Sequence, residues 1–277
     1  MNLYICRPIF IISLIILLIS CNHQKDGFLQ TKKNYNANND SLLNLNSWKR
    51  VSILSDEFDK NNLDTSKWKK GLWYDVSGDF AFKDDNTLVK GGNLQLTAKK
   101  EFFNGKEFTI GAVESKFDMP SQPSLVRVRA KLLSDSANVC SAIWLQSWPE
   151  VKNNPNPEID IIEHFYKTEM HMNLFTWDKD NSGNYEHVDF KGQVFDYKKD
   201  LSKEYHVYGL ERINGNLRFY FDDKLVFEWK SPNTAFSNMP RHIVLSLEGH
   251  RYKPNVNLLP ASFLIDYVRV YDKKKLQ

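Results

Sequence analysis

Short runs of alternating apolar and polar residues recur along the chain, and they constrain its fold more than any other feature. Residues 93–98, 124–131 and 262–271 alternate in this way, and no amphipathic helical pattern is sustained. Residues 216–221 and 225–229 flank a short turn signal and predict a hairpin. Many short strands at this spacing are typical of two packed sheets. The sequence therefore predicts an all-β fold, a two-sheet antiparallel jelly-roll sandwich.

One strand-like segment, residues 158–163 (Glu-Ile-Asp-Ile-Ile-Glu), carries three acids among β-branched residues. Ionised carboxylates are costly in a buried strand, so three of them need a chemical explanation. Hydrolysis of a glycosidic bond needs two carboxyls across the bond, about 5–5.5 Å apart in retaining enzymes. In a regular strand Glu163 would point away from Glu158 and Asp160, and one bulge residue returns it to their face. We therefore predict such an enzyme, with Glu158 as nucleophile and Glu163 as general acid and then base.

Asp160 lies between these two glutamates. We expect it to hydrogen-bond to Glu158 and, by like-charge repulsion, to help keep one acid ionised and another protonated. Two alternatives to catalysis stay open for the three acids. The first is exposure to solvent on an edge strand, although the three isoleucines indicate burial. The second is calcium binding, although calcium sites more often use loops rich in Gly and Asn.

Aromatic residues make up 13% of the chain and are unevenly placed. Sugar rings stack their C–H faces on aromatic rings, so a glycan cleft would be lined with them. We assign Trp73, Trp144 and Trp177 to such a cleft. Trp68 and Trp229 are assigned to the core.

The N-terminal residues have the plan of an export signal. Arg7 is the single charge before an apolar run at 9–19, which is too short for a membrane span. Cys21 follows Leu-Ile-Ser and resembles a bacterial lipobox, so acyl chains on Cys21 would anchor the protein to a membrane surface. An ordinary signal peptide with an incidental cysteine is the alternative. The predicted organisation is a lipoprotein signal peptide at 1–20, the lipidated cysteine and a flexible polar tether at 21–46, and a catalytic domain at 47–274.

These features predict an exported bacterial lipoprotein of the outer membrane, on the cell surface or the periplasmic face. The formal net charge of +3 is modest and its cations are scattered, which argues against a nucleic-acid partner. Cys140 is the one cysteine after Cys21, so no internal disulfide is expected. We expect Cys140 to be a small buried hydrophobe rather than a nucleophile, and the protein to be a monomer.

The acid segment resembles the signature of glycoside hydrolase family 16 in its bulged form, with two residues between the Asp and the last Glu. The resemblance implies a concanavalin-like jelly roll with an open concave cleft, a retaining endo-acting mechanism and no cofactor required for catalysis. It assigns Glu158 as nucleophile, Asp160 as its assistant and Glu163 as acid/base. Further matches to the family lie at residues 56–58, 63–68, 91–94, 141–145, 206–226 and 265–271.

The resemblance also implies binding residues. Trp144 would stack near the cleaved sugar, and His171 matches a cleft-facing histidine of agarase-like members. The family often carries a structural calcium, whose positions here are matched by Asp266, Glu57 and Gly92. The candidate substrate-binding residues are Trp73, Trp144, Trp148, His171, Asn173, Trp177 and Arg251.

The substrate is predicted from smaller resemblances. Residues 111–116 and 144–147 are similar to agarase, porphyranase and carrageenase members, which favours a β-linked galactan such as agarose or porphyran. An endo-β-1,3- or mixed-linkage glucan and a mucin O-glycan stay open. Sulfated substrates would favour cations, and Arg241, His250 and Arg251 are candidates, although solvated loop charges are the preferred interpretation. The alternatives from other classes are a non-catalytic glycan-binding lipoprotein and a surface structural protein.

Overall fold

The computed structural model describes residues 32–34, 42–146, 156–179, 181, 185–230, 234–238, 240–250 and 252–273. Most of the predicted signal peptide and tether lies outside these residues, and so do Cys21, Trp148 and Arg251. Within the described ranges no helix has the length and apolar character needed to cross a membrane.

Eighteen strands and one short helix make up the described regular structure, apart from single 3-10 turns. In chain order they are β1 (Lys32–Asn34), β2 (Trp48–Arg50), β3 (Trp68–Lys70), β4 (Phe80–Phe82), β5 (Thr87–Lys90), β6 (Asn93–Phe103), β7 (Lys106–Ile110), β8 (Ala112–Ser115), β9 (Ser124–Lys131), β10 (Cys140–Gln146), β11 (Asn156–Tyr166), β12 (Glu169–Lys179), β13 (Tyr185–Asp196), β14 (His206–Ile213), β15 (Asn216–Phe221), β16 (Lys224–Trp229), α1 (Thr234–Asn238), β17 (His242–Glu248) and β18 (Ala261–Lys273).

The strands form two sheets that pack as a sandwich. The first has eight strands in the order β1-β13-β12-β11-β10-β17-β8-β3. The second has ten strands in the order β16-β15-β14-β9-β18-β6-β7-β4, with β2 beside β18 and β5 beside β6. Only β1–β13 and β4–β7 are parallel pairs among the described ladders. The predicted all-β, two-sheet antiparallel jelly roll is confirmed.

The apolar side chains of the alternating runs point into the space between the two sheets. On β6, Leu94, Leu96 and Ala98 are buried while the residues between them are half-buried. Trp68 is 1% exposed, and its indole Nε1 donates to Asp56 Oδ2 at 2.9 Å, as a buried polar group requires. The large apolar core between the two sheets thus fixes which face each strand turns outward.

The residues just before Trp48 pack against the sandwich. Leu43 donates its backbone N–H to Asp223 O at 2.8 Å, and Leu43 and Leu45 pack against a small cluster around Trp48. The backbone of β1 also pairs with β13 at the edge of the first sheet. The chain therefore contacts the sandwich before residue 47, because leucines in the polar segment find apolar partners that its composition did not indicate.

Candidate active site

The three acids lie on β11, in the middle of the first sheet, and a β-bulge interrupts this strand between Asp160 and Glu163. In the ladder with β10, pairing passes from Asp160–Trp144 directly to Ile162–Ile143. Ile161 is therefore the extra residue, and both bulge isoleucines are fully buried. A bulge sets two residues against one on the partner strand. The bulge predicted from the sequence is present.

Hydrogen bonds show that the three acids share one sheet face. Trp177 Nε1 donates to Glu158 Oε2 at 3.1 Å, and Asn173 Nδ2 donates to Glu163 Oε2 at 2.6 Å. Both donors lie on β12 with an even spacing along the strand, and Asp160 also bonds to Asn173. We call this surface, which faces away from the core, the acid face. The structure thus brings together five predicted site residues.

Glu158 is held among groups with opposing effects on its pKa. Burial and then the charge of Glu163 raise the pKa of Glu158 to about 8, although the indole N–H of Trp177 and the charge of Arg241 act in the opposite direction. Both lowering groups stabilise the carboxylate form. Burial outweighs them, so the pKa of Glu158 stays above its ordinary value.

Asp160 bonds differently from the expectation. Its hydrogen-bond partners are Glu163 and Asn173 rather than Glu158. Burial raises the pKa of Asp160 well above its ordinary value, and the bond with Glu163 raises it further. The same bond lowers the pKa of Glu163, although burial raises that pKa overall. A hydrogen bond between two carboxyl groups needs a proton between them, so Asp160 and Glu163 share one.

His171 lies opposite Glu163 in the β11–β12 ladder. Its Nε2 lies 3.0 Å from Glu169 Oε2, and its ring packs between Phe165 and Tyr166. Burial raises the pKa of Glu163, and the charge of His171 acts in the opposite direction. The histidine is therefore fixed in orientation beside the third acid.

The predicted aromatic residues surround the acids. Trp144, the β10 partner of Asp160, donates its indole N–H to Ser246 Oγ at 3.0 Å. Its ring lies 5.8 Å from that of Trp73, centroid to centroid. On the other side, Trp177 stacks with Phe175 at 5.6 Å. Tryptophan rings therefore lie on both sides of the three acids, with Trp73 and Trp144 on one side and Trp177 on the other. Apolar sugar faces could stack on such rings.

Glu248 is a fourth carboxyl of the acid face that the sequence analysis missed. It lies on β17 opposite Cys140 of β10, and Tyr74 donates its hydroxyl to Glu248 Oε1 at 2.8 Å. Burial raises the pKa of Glu248 to about 7, and the charge of Glu163 acts in the same direction. A single acid in an apolar strand carries no motif. The only signal was that Ser246 and Glu248 share a strand face.

Replacing Glu248 by Gln is expected to stabilise the fold increasingly as the pH rises from about 4.5 to 7. In the folded protein the pKa of Glu248 lies above its unfolded value of 4.5. The unfolded state therefore releases the proton first, and the wild type loses up to about 3 kcal/mol of unfolding free energy across this window. Thermal denaturation of both proteins at several pH values measures the difference, with Glu107→Gln, an exposed carboxyl, as control. A difference that is constant with pH would contradict the expectation.

Cys140 also lies on the acid face, but it is fully buried there. It packs with Ala142, Trp144 and Val244 under the partly buried ring of Trp73. Burial raises the pKa of the Cys140 thiol well above its ordinary value. The expected burial of Cys140 as a small apolar side chain is confirmed.

The predicted calcium ligands do not fit a cation as they stand. Glu57 accepts from Arg269 at 3.0 and 2.8 Å and also pairs with Arg50. Asp266 pairs with Arg129 at 2.7 Å. Both carboxylates are already neutralised by arginines. Gly92 lies in the turn between β5 and β6 with φ of 72°. Among the described residues no group of three His, Cys, Asp or Glu is placed to hold a metal.

The late-loop cations also differ from expectation. Arg241 is fully buried, and its Nη1 donates to the backbone oxygen of Pro157 on β11 at 2.8 Å. His250 is half-buried, with its ring 5.8 Å from Phe165 and 5.4 Å from Tyr252. The preferred interpretation as solvated charges is therefore wrong for Arg241, because a guanidinium can lie inside when carbonyl groups accept its N–H donors.

Comparison with known proteins agrees with this geometry. A family model described as "Beta-porphyranase A-D, GH16 domain" matches residues 48–273. A Beta-glucanase of Rhodothermus marinus is 25% identical over 253 residues, covering 79% of this chain and 84% of that protein. Beta-porphyranase E of Zobellia galactanivorans is 26% identical over 209 residues, covering 70% and 73%.

A similar solved structure comes from work on endo-acting O-glycanases that prominent members of the human gut microbiota express to initiate mucin breakdown. It superposes with a TM-score of 0.68 at 24% identity, over 83% of this chain and 92% of that one. This likeness concerns the fold. The family model spans most of the chain, and the acid face lies inside the matched range. The chain therefore belongs to family GH16 and is a glycoside hydrolase of the endo-acting kind.

Proposed function

We propose that this protein is a retaining endo-β-glycosidase of the bulged-motif GH16 subgroup. Glu158 is the nucleophile, Glu163 the acid/base and Asp160 the residue that shares a proton with Glu163. The observation that carries the proposal is the bulge at Ile161, because it turns Glu163 to the face that Glu158 occupies. Two carboxyls on one face, one to attack the anomeric carbon and one to donate and then accept a proton, are what double displacement requires.

The reaction then has two steps. Glu163, which shares the proton of Asp160, protonates the glycosidic oxygen while a Glu158 oxygen attacks the anomeric carbon. The bond to the leaving sugar breaks and a glycosyl ester of Glu158 forms. Glu163 next removes a proton from water, whose oxygen attacks the same carbon and releases Glu158. Each step inverts the configuration of the anomeric carbon, so the two steps together retain it. Neither step uses a metal.

The proposed substrate is a β-linked galactan of the agarose or porphyran type. The match to a porphyranase GH16 model and the similarity to a named porphyranase support this choice. The aromatic residues Trp73, Trp144 and Trp177 suit the apolar faces of neutral sugar units. An endo-β-1,3- or mixed-linkage glucanase is the second candidate, because a Beta-glucanase is similarly related to this chain.

The substrate proposal is tested on a panel of agarose, porphyran, carrageenan, laminarin, mixed-linkage glucan and mucin O-glycans. We expect release of a series of oligosaccharides from a galactan, and β-configured reducing ends when the first products are observed by NMR. Cleavage of laminarin alone would transfer the assignment to the second candidate. No depolymerisation of any member would leave the glycan-binding lipoprotein as the function. First products with α-configured ends would exclude double displacement.

We further propose that the enzyme acts as a monomer at the bacterial outer membrane, held there by acyl chains on Cys21. The support is the sequence pattern before residue 22, namely one charge, a short apolar run and Leu-Ile-Ser-Cys. Metabolic labelling with a fatty acid, compared between wild type and Cys21→Ala, tests the anchor. Incorporation into the variant at the wild-type level would rule it out.

A further inference from the structure

Three aromatic rings lie side by side on the acid face, on the two strands next to β11. They belong to Trp177 and Phe175 of β12 and to Phe190 of β13. The rings of Trp177 and Phe175 stack with their centroids 5.6 Å apart, and the centroids of Phe175 and Phe190 are 4.8 Å apart. We call these three residues the aromatic strip. It begins at the indole that donates to the carboxylate of Glu158.

Strand pairing places the aromatic strip in line with the proposed nucleophile. Phe175 lies opposite Glu158 in the β11–β12 ladder, and Phe190 lies opposite Phe175 in the β12–β13 ladder. The side chains of directly opposite residues point to the same face of a sheet. Because neighbouring strands are about 4.8 Å apart, β13 lies about 10 Å from β11 across the sheet. The aromatic strip therefore leads from the three acids across the sheet toward its edge.

Gly192 determines where the ring of Phe190 can lie. It follows Phe190 by two positions on β13, so both belong to the acid face, and it pairs with Asn173 of β12. A Cβ atom added to Gly192 would lie 2.9 Å from Phe190 Cζ and 3.1 Å from Asn173 Oδ1. The Phe190 ring thus occupies the space that a side chain at Gly192 would need. This position brings the ring close to Asn173, the residue that donates to Glu163.

The aromatic strip is not part of the apolar core. In the described part of the chain, the hydrophobic core clusters include neither Trp177 nor Phe175 nor Phe190. All three side chains are half-buried, on the outer face of the first sheet. Large apolar side chains that lie together outside a core mark a binding surface. Since this surface is continuous with the three acids, the ligand that its position indicates is the polysaccharide itself.

We propose that Phe190, supported by Phe175, forms a further sugar-binding subsite, and that Gly192 is a specificity-determining residue because it leaves room for the Phe190 ring. The ligand is the apolar C–H face of a sugar unit beyond those that flank the cleaved bond. The subsite contributes binding energy from a part of the substrate remote from the reacting atoms. Only chains long enough to reach β13 gain from it. This inference rests on the proposed function of the three acids.

The first test compares kcat/KM of wild type and Phe190→Ala on agarose and on a graded series of agarose oligosaccharides. Removing the ring should lower kcat/KM about tenfold on agarose and on the long oligosaccharides. The loss should shrink on oligosaccharides that are too short to reach β13. The matched control is Phe102→Ala, which removes a phenylalanine that is 76% exposed on β6 of the second sheet. It should follow the wild type at every length.

Gly192→Ala tests the position of the ring independently. Alone, it should reproduce the length-dependent loss, because the new Cβ displaces the Phe190 ring. In the Phe190→Ala background the same substitution should add no further length-dependent loss, since no ring remains to be displaced. A loss that Gly192→Ala causes equally in both backgrounds would show that it acts through Asn173, and would overturn the role given to Gly192.

Circular dichroism and thermal unfolding first establish which variants are folded. If Phe190→Ala does not fold, Phe190→Leu replaces it, because leucine keeps an apolar side chain but has no flat ring. A folded variant with unchanged kcat/KM on agarose, or with the same loss at every length, would overturn the inference. If laminarin is the polymer that the wild type cleaves, its oligosaccharides replace the agarose series. Failure of the proposed function looks different, since the wild type would then cleave neither series.

Discussion

Replacing Glu158 by Gln is expected to lower kcat/KM for polysaccharide cleavage by at least about 10³-fold. The amide cannot form the glycosyl ester, while Trp177 and Trp144 keep their positions because Gln fills the same volume. Binding of the intact polysaccharide should therefore persist. Cleavage is measured by reducing ends released, and binding by affinity electrophoresis on the same polymer. If the Glu158→Gln variant loses cleavage but still binds the polysaccharide, Glu158 acts in the chemical step rather than in binding.

The matched control is Glu211→Gln. Glu211 is also a buried glutamate, 5% exposed, but it lies on the second sheet and accepts from Tyr220 and Arg218. The same substitution there should leave cleavage near the wild-type level. If Glu158→Gln keeps more than about a tenth of the activity, Glu158 is not the nucleophile. Equal losses in both variants would point to damage of the fold instead.

Features that depend on the spacing of residues within one strand could be predicted from the sequence. The alternation of β6 and β18 follows from apolar residues two apart, and the bulge follows from three acids spaced unevenly in one strand. Each is a property of a single segment. The physical cost of burying Glu163 on the core side then decides which face it takes.

The missed features depend on pairing between distant segments. Glu248 reaches the acid face because β17 pairs with β10, and Tyr74 reaches Glu248 from a loop 174 positions away. Arg241 looked like a loop cation because its acceptors, Pro157 O and Ala235 O, are backbone atoms with no sequence signature. Asp160 was assigned the wrong partner for a similar reason, since Asn173 of the next strand holds it beside Glu163.

We expect opposite effects on activity from two changes to the bulge. Deleting one residue should leave the enzyme active, whereas inserting one residue should inactivate it. Deleting Ile161 leaves the acids at alternate positions, and a period of two keeps them on one face without a bulge. We expect the deletion variant to retain cleavage within about 100-fold of wild type. Its unfolding free energy should fall by about 2–5 kcal/mol, because a fully buried isoleucine is lost.

Inserting one Ala between Ile161 and Ile162 should have the opposite effect on activity and lower cleavage by about 10⁴-fold. If the bulge persists, Glu163 turns into the core. If the ladder becomes regular instead, Glu163 moves about 7 Å farther along the strand than in the deletion variant. Either outcome removes the acid/base from reach of a sugar bound at Glu158, so the loss does not depend on how the strand adapts.

Ile161→Ala completes the comparison, because it removes the same side chain while keeping the bulge. It should match the deletion variant in thermal stability and the wild type in activity, each measured on folded protein. The deletion and the insertion disturb the same segment by one residue in opposite directions. Local damage would therefore impair both, whereas misplacement of Glu163 impairs only the insertion. A folded insertion variant that still cleaves the polysaccharide would show that Glu163 is not the acid/base.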